Sequence, residues 1–146
     1  MSSQPFVIER VFDAPVTKVW DALTRNEQMK KWYFQLADFK PVVGFEFQFT
    51  AKNEQVEYHH ICKVTEVIGG KKLAYSWRYK GYPGISIVTF ELFQEGNKTK
   101  LKLTHAGLET LEPGGPGFAR KNFEEGWTSI LDKSLKGFVE AKSVQV

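Results

Sequence analysis

The sequence predicts an α+β fold in which a curved antiparallel sheet of roughly six to seven strands wraps around one long C-terminal helix, with two short helices after the first strand. Three observations predict it. A strand-rich middle runs from about Phe45 to His105. It leads into one helix candidate, Phe118 to Lys142, along which Phe123, Trp127, Ile130, Leu131, Leu135 and Phe138 recur at steps of three and four and so share one helix face. Glycine-bearing turn signals divide the middle into strands: Gly69-Gly70, Gly81-Tyr82-Pro83-Gly84 and Gly96-Asn97. One apolar stripe laid against a curved sheet does not fill the space as a second flat sheet would. The layout therefore implies a pocket between sheet and helix.

The elements follow in order. Phe6 to Phe12 reads as a first strand, ended by Asp13-Ala14-Pro15. Val16, Val19, Trp20 and Leu23 then fall at helical spacing, and Pro15 suits a helix start. Asn26 begins a second short helix that ends near Trp32, and Asp38 to Lys40 reads as a brief strand. Phe45, Phe47 and Phe49 alternate with Glu46, Gln48 and Thr50, the period of a half-buried strand.

The turns also predict register. A two-residue loop at Gly69-Gly70 sets Cys62 opposite Trp77, Val64 opposite Tyr75, His60 opposite Tyr79 and Thr65 opposite Ala74. The same rule at Gly96-Asn97 pairs Val88 with His105, Phe90 with Leu103 and Leu92 with Leu101. A four-residue loop at Gly81–Gly84 places Trp77 beside Val88 and Tyr75 beside Phe90. Three turns thus assign one inner face across four strands, and a slip of one residue would turn a whole strand inside out. Lys63, Ser76 and Lys102 fall on the outer face.

Length and composition narrow the function classes. A chain of 146 residues suits a single domain, 1–146, with a sizeable core. The net charge of +3 is spread over short Lys and Arg pairs and forms no dense stripe, so no nucleic-acid partner is expected. No run approaches the ~20 apolar residues of a membrane span, so membrane insertion is not expected either. The N-terminus lacks a signal-peptide pattern, and the lone Cys62 allows no intrachain disulfide, which together favour the cytoplasm.

The candidate chemistry lies on the inner face. Twelve Phe, 5 Tyr and 4 Trp make the chain rich in rings, which commonly means a large core but also lines pockets for flat apolar ligands. Tyr58, Tyr75, Trp77 and Tyr79 share that face, and each joins an apolar body to one polar handle. His60 points inward and its neighbour His59 outward; His105 also points inward. Each inward histidine either orients a ligand's polar group or is a core-edge histidine satisfied by a neighbour. With Trp32 from the end of the second short helix, Phe90 from the sheet, and Phe123 and Trp127 from the last helix, these residues make up the candidate ligand-binding set. Cys62, His60 and His105 lack metal-site spacing, so neither a metal nor another cofactor is expected. Glu124 and Glu125 diverge by about 100° on a helix and do not form a catalytic pair. No Gly-x-Ser-x-Gly context surrounds Ser76 or Ser86. The Pro113–Gly117 cluster lacks a P-loop ending and reads as the link into the last helix.

Several segments together carry a family resemblance. Asp13 to Thr24 (DAPVTKVWDALT) followed by Lys30 to Trp32 (KKW) resembles the opening of the Hsp-ninety ATPase activator-like family. Lys72 to Arg78 (KLAYSWR), Thr99 to Leu108 (TKLKLTHAGL) and Glu125 to Leu135 (EGWTSILDKSL) resemble its later segments, in the family's order. Only Gly44 stands where the family often carries a Gly-Gly pair. The family lies in the START-like, or SRPBCC, superfamily, so the resemblance implies the helix-grip fold of birch-pollen-allergen-type proteins, with a cavity between sheet and last helix. It supplies no catalytic motif. The expected function is binding of a small hydrophobic ligand, aromatic or lipid-like, in that cavity. The resemblance also implies two alternatives: a module acting on an Hsp-ninety-type chaperone partner, and a cyclase- or hydrolase-type enzyme on aromatic substrates.

Overall fold

The computed structural model describes residues 4–33, 38–53 and 56–140. Its elements are β1 (Phe6–Phe12), α1 (Val16–Thr24), α2 (Asn26–Trp32), β2 (Glu46–Asn53), β3 (Val56–Ile68), β4 (Lys72–Tyr79), β5 (Ser86–Glu95) and β6 (Lys98–Ala106). Three short 3-10 turns lead into the last helix, which starts as α3 (Arg120–Ser129). The six strands form one antiparallel sheet in the order β1-β6-β5-β4-β3-β2. The chain therefore runs out to an edge with α1 and α2 and returns strand by strand until β6 meets β1, with Ile8 beside Leu103.

The expected strand over Asp38–Lys40 is not formed. The Asp38 carboxylate accepts the N–H of Phe39 at 2.8 Å. The Phe39 ring is buried edge-on against Phe45 and Phe47. A side-chain anchor, not a ladder, holds this segment.

The Gly96-Asn97 hairpin has the predicted register, with Val88 opposite His105, Phe90 opposite Leu103 and Leu92 opposite Leu101. The Gly69-Gly70 hairpin differs near its tip. Ile68 pairs with Lys72, so the loop has three residues, and Gly70 takes a left-handed φ of +72°. A bulge between Val64 and Glu66 absorbs the extra residue: Glu66, not Thr65, stands opposite Ala74. Beyond the bulge the predicted pairs return, with Val64 opposite Tyr75, Cys62 opposite Trp77 and His60 opposite Tyr79.

The β4–β5 register is a correction. Tyr75 pairs with Val88, Trp77 with Ser86 and Leu73 with Phe90, two residues away from the expectation. The cause lies outside the turn. Gly84 sits at φ +94° with its Cα against the Thr110 carbonyl, and a Cβ there would come within 2.1 Å of that oxygen. Thr110 Oγ1 also accepts from Ile85 N and donates to the Ile85 carbonyl. The loop is thus drawn toward the 3-10 turn Leu108–Thr110. A slip of two residues keeps every side chain on its predicted face. Tyr75, Trp77, Val88, Phe90, Leu101 and Leu103 are all buried, while Lys63 is exposed and Ser76 and Lys102 are half-buried.

The C-terminal helix is not uniform. After α3 it passes through a π-helical segment, Ile130–Leu135, and ends as α4 (Lys136–Val139). The expected start at Phe118 belongs to a separate 3-10 turn, Pro116–Phe118, and the expected end at Lys142 lies outside the described residues. The buried stripe is Phe123, Trp127, Leu131, Leu135 and Val139, a spacing of four throughout. A four-residue step over-rotates an α-helix by about 40°, so such a stripe would drift off the sheet. The wider π turn takes up that drift and keeps Leu131 and Leu135 on the core side. Ile130 and Phe138, expected in the stripe, are only partly buried at its flanks.

Candidate functional site

At one end of the sheet a cleft of about 180 Å³ opens between β3, β4 and α3. Its walls are mostly rings: Tyr58 and His60 from β3, Trp77 and Tyr79 from β4, and Phe123 and Trp127 from α3. Strand alternation places the first four on one face, and the four-residue helical step stacks the last two. Phe118 forms one side of the mouth. Its ring lies 4.8 Å from those of Tyr79 and Tyr82 and 5.4 Å from that of Tyr58. Gly117 lets this happen, since a Cβ there would sit 2.7 Å from the Tyr58 hydroxyl.

His105 stands behind the cleft, and its bonds fix its tautomer. Trp127 Nε1–H donates to His105 Nδ1 at 2.9 Å, so Nδ1 carries no proton. Nε2 then bears it and donates to Ser86 Oγ at 2.7 Å, and the Ser86 hydroxyl donates to the Trp77 carbonyl. The chain of donors runs from helix to sheet with both ring nitrogens spent. Burial lowers the His105 pKa to about 3, so the ring is neutral at pH 7. The arrangement pins the Trp127 indole and leaves His105 nothing with which to hold a ligand or a metal.

His60 reaches the cleft itself. Its ring stacks on Phe49 with centroids 4.3 Å apart, and Nδ1 lies 3.0 Å from the Tyr58 carbonyl. Burial pulls its pKa down to about 4, against backbone hydrogen bonds to Tyr58 and Phe49 that raise it. Tyr79 takes the Trp77 Nε1–H on its hydroxyl at 2.8 Å, and burial pushes the Tyr79 phenol well above its ordinary value. The cleft thus presents neutral polar groups at pH 7. Among the described residues no Asp, Glu, Lys or Arg lines it.

Six of the ten sequence-chosen residues are brought together at the cleft: Tyr58, His60, Trp77, Tyr79, Phe123 and Trp127. The other four stand behind it. Tyr75 is buried, with its hydroxyl 2.8 Å from that of Tyr33. Phe90 packs edge-on against Trp127, His105 is spent as described, and Trp32 donates its indole N–H to the Ala22 carbonyl at 2.8 Å. Sequence reasoning missed Phe118, Asn122, Gly126 and Ile130. Phe118 had a signal in the glycines that flank it, which mark a close approach of backbone and rings. His59 lies on the outer face, bonded to Thr50 and Gln48. Cys62 is buried, and burial pushes its thiol well above its ordinary pKa. Among the described residues no three His, Cys, Asp or Glu side chains are placed to hold a metal ion, and no helix is long and apolar enough to cross a membrane.

Known proteins set this geometry in context. A family model described as activator of Hsp90 ATPase homolog 1-like protein matches residues 13–140. A Chromobacterium violaceum protein has a similar structure, with a TM-score of 0.79 at 22% identity, covering 97% of this chain and 100% of that one. DynU16, a protein in the dynemicin biosynthetic locus, gives 0.78 at 19% identity over 96% of this chain and 48% of its own. CalU16 from Micromonospora echinospora gives 0.70 at 26% identity over 92% of this chain and 75% of its own. No curated protein matches the chain.

Proposed function

The chain belongs to the activator of Hsp90 ATPase homolog 1-like family, and on that premise we propose that it binds a small apolar aromatic compound in the cleft between β3, β4 and α3. One observation carries the reading. The cleft is walled by edge-on and tilted rings, with a few neutral polar groups among them. That is the makeup of a site for a flat, weakly polar ligand. A long acyl chain finds less room, because the partly open cleft holds about 180 Å³. The similarity to DynU16, from a biosynthetic locus, supports a small-molecule role.

Trp77 and Trp127 stand on the wall, so their fluorescence should report occupancy. The test is native mass spectrometry of freshly purified protein, followed by titration of an aromatic panel with amide chemical-shift mapping. Shifts at Gly117, Gly126 and Ile130 support the reading. Shifts confined to the outer face around Lys63 and Arg78 overturn it. The family description favours a second reading, contact with an Hsp90-type chaperone. Binding to a purified chaperone with no ligand in the cleft would put that reading first.

A further inference from the structure

The cleft's size and its uncommitted hydrogen-bonding groups narrow the ligand class. A closed apolar cavity of roughly 150 Å³ holds one benzene ring, and this cleft measures about 180 Å³. The cleft is partly open: one ring with a small substituent fills its volume, and a fused three-ring compound exceeds it and leaves rings in water.

The polar groups on the wall are unequal. The Trp77 and Trp127 N–H groups are already donated, to Tyr79 and His105. His60 is engaged with the backbone of Tyr58 and Phe49. Asn122 spends its Nδ2 on the Pro116 and Gly117 carbonyls, and it is exposed to water at the mouth. Two donors remain. The Tyr79 hydroxyl accepts from Trp77 but gives its own proton to no described residue. The Tyr58 hydroxyl has no hydrogen-bond partner among the described residues. A ligand that displaces water from both phenols must offer an acceptor, or it leaves donors unsatisfied. It must also be neutral, because among the described residues neither a cationic nor an acidic side chain lines the cleft and an unpaired buried charge of either sign is costly.

We infer that the cleft selects a neutral, single-ring aromatic compound bearing a hydrogen-bond acceptor, an aryl ketone or aldehyde being the simplest form, held by the hydroxyls of Tyr58 and Tyr79; this rests on the ligand-binding reading above.

The experiment is a set of amide chemical-shift titrations of the whole chain with acetophenone, ethylbenzene, benzoate and a three-ring aryl ketone. Acetophenone should bind roughly tenfold more tightly than ethylbenzene or benzoate, and the three-ring ketone should be weakest. Tyr58→Phe with Tyr79→Phe should bring the ratio of acetophenone to ethylbenzene affinity, both measured on the variant, close to one. Because Tyr79→Phe orphans the Trp77 N–H, Tyr58→Phe alone serves as the second variant, with an expected loss of about threefold in that ratio. Benzoate or the three-ring ketone binding as tightly as acetophenone overturns the inference. So does an advantage that Tyr58→Phe leaves undiminished. Ethylbenzene binding in the cleft with no preference for the ketone overturns the inference but leaves the ligand-binding reading standing. Failure of every compound overturns both.

Discussion

The space between sheet and helix has two ends that are built differently. At one end Leu101, Leu131, Leu135 and Val139 are fully buried. There α1 packs on β5, β6 and α4, and α2 packs on the π segment, so two further helices cover the join. At the other end no further helix covers it among the described residues. The 3-10 turns and the ring of Phe118 lie over Tyr58, Tyr79 and Tyr82, and the cleft opens there. Branched aliphatic chains under a third layer interdigitate to native density. Stiff rings, several of them tied by directed hydrogen bonds, do not collapse onto one another, and a gap persists. The same stripe of helix residues is therefore core at one end and cleft wall at the other, and Trp127 stands at the boundary.

The largest effect should come at that boundary. Trp127→Ala removes a buried indole and strips His105 Nδ1 of its donor. It should cost roughly 3–5 kcal/mol in chemical denaturation and abolish ligand binding. An unchanged denaturation midpoint would erase the distinction between the two ends. Leu135→Ala, at the solid end, should cost about 3 kcal/mol while leaving aromatic-ligand affinity intact in the folded protein. If affinity falls in step with stability, the two ends behave as one unit.

The pH dependence should trace to the cleft end, where both buried histidines lie. His60 and His105 are held neutral, with folded pKa values of about 4 and about 3 against an ordinary value near 6.5. The unfolded chain binds these protons first, so their contribution is complete above pH ~6.5 and is lost as pH falls toward the folded values. Each should add a slope of up to about 1.4 kcal/mol per pH unit in that window. His105→Gln should reduce the slope, as read from denaturation midpoints between pH 7 and 4.5. The smallest effect should be at the Arg10–Asp132 pair, 2.7 Å apart and about two-fifths exposed. Asp132→Asn should cost under ~1 kcal/mol and less at high salt.

Local signals made much of this molecule legible. β1, α2 and the Gly96-Asn97 register follow from strand alternation, helical spacing and turn chemistry, which act within a few residues. The inner face was legible for the same reason, and it survived both register errors: one was repaired by the bulge after Val64, the other was a slip of two. Which inward rings reach a cleft was not legible. Tyr75 and Tyr79 look alike on one strand, yet Tyr75 bonds Tyr33 from α2's end while Tyr79 lies under Phe118, and those partners come from distant chain positions.

By itself, then, the sequence determined the elements, the face each strand turns to the helix and the family, because periodicity and turn residues are local properties of the chain. Only the tertiary structure decided the β4–β5 register, the π turn that holds the helix stripe in line, the spending of His105 on Trp127 and Ser86, and the placing of Phe118 over the cleft. Each of these depends on contacts between elements far apart in the chain, such as the Thr110 carbonyl against Gly84, whose geometry no run of neighbouring residues encodes.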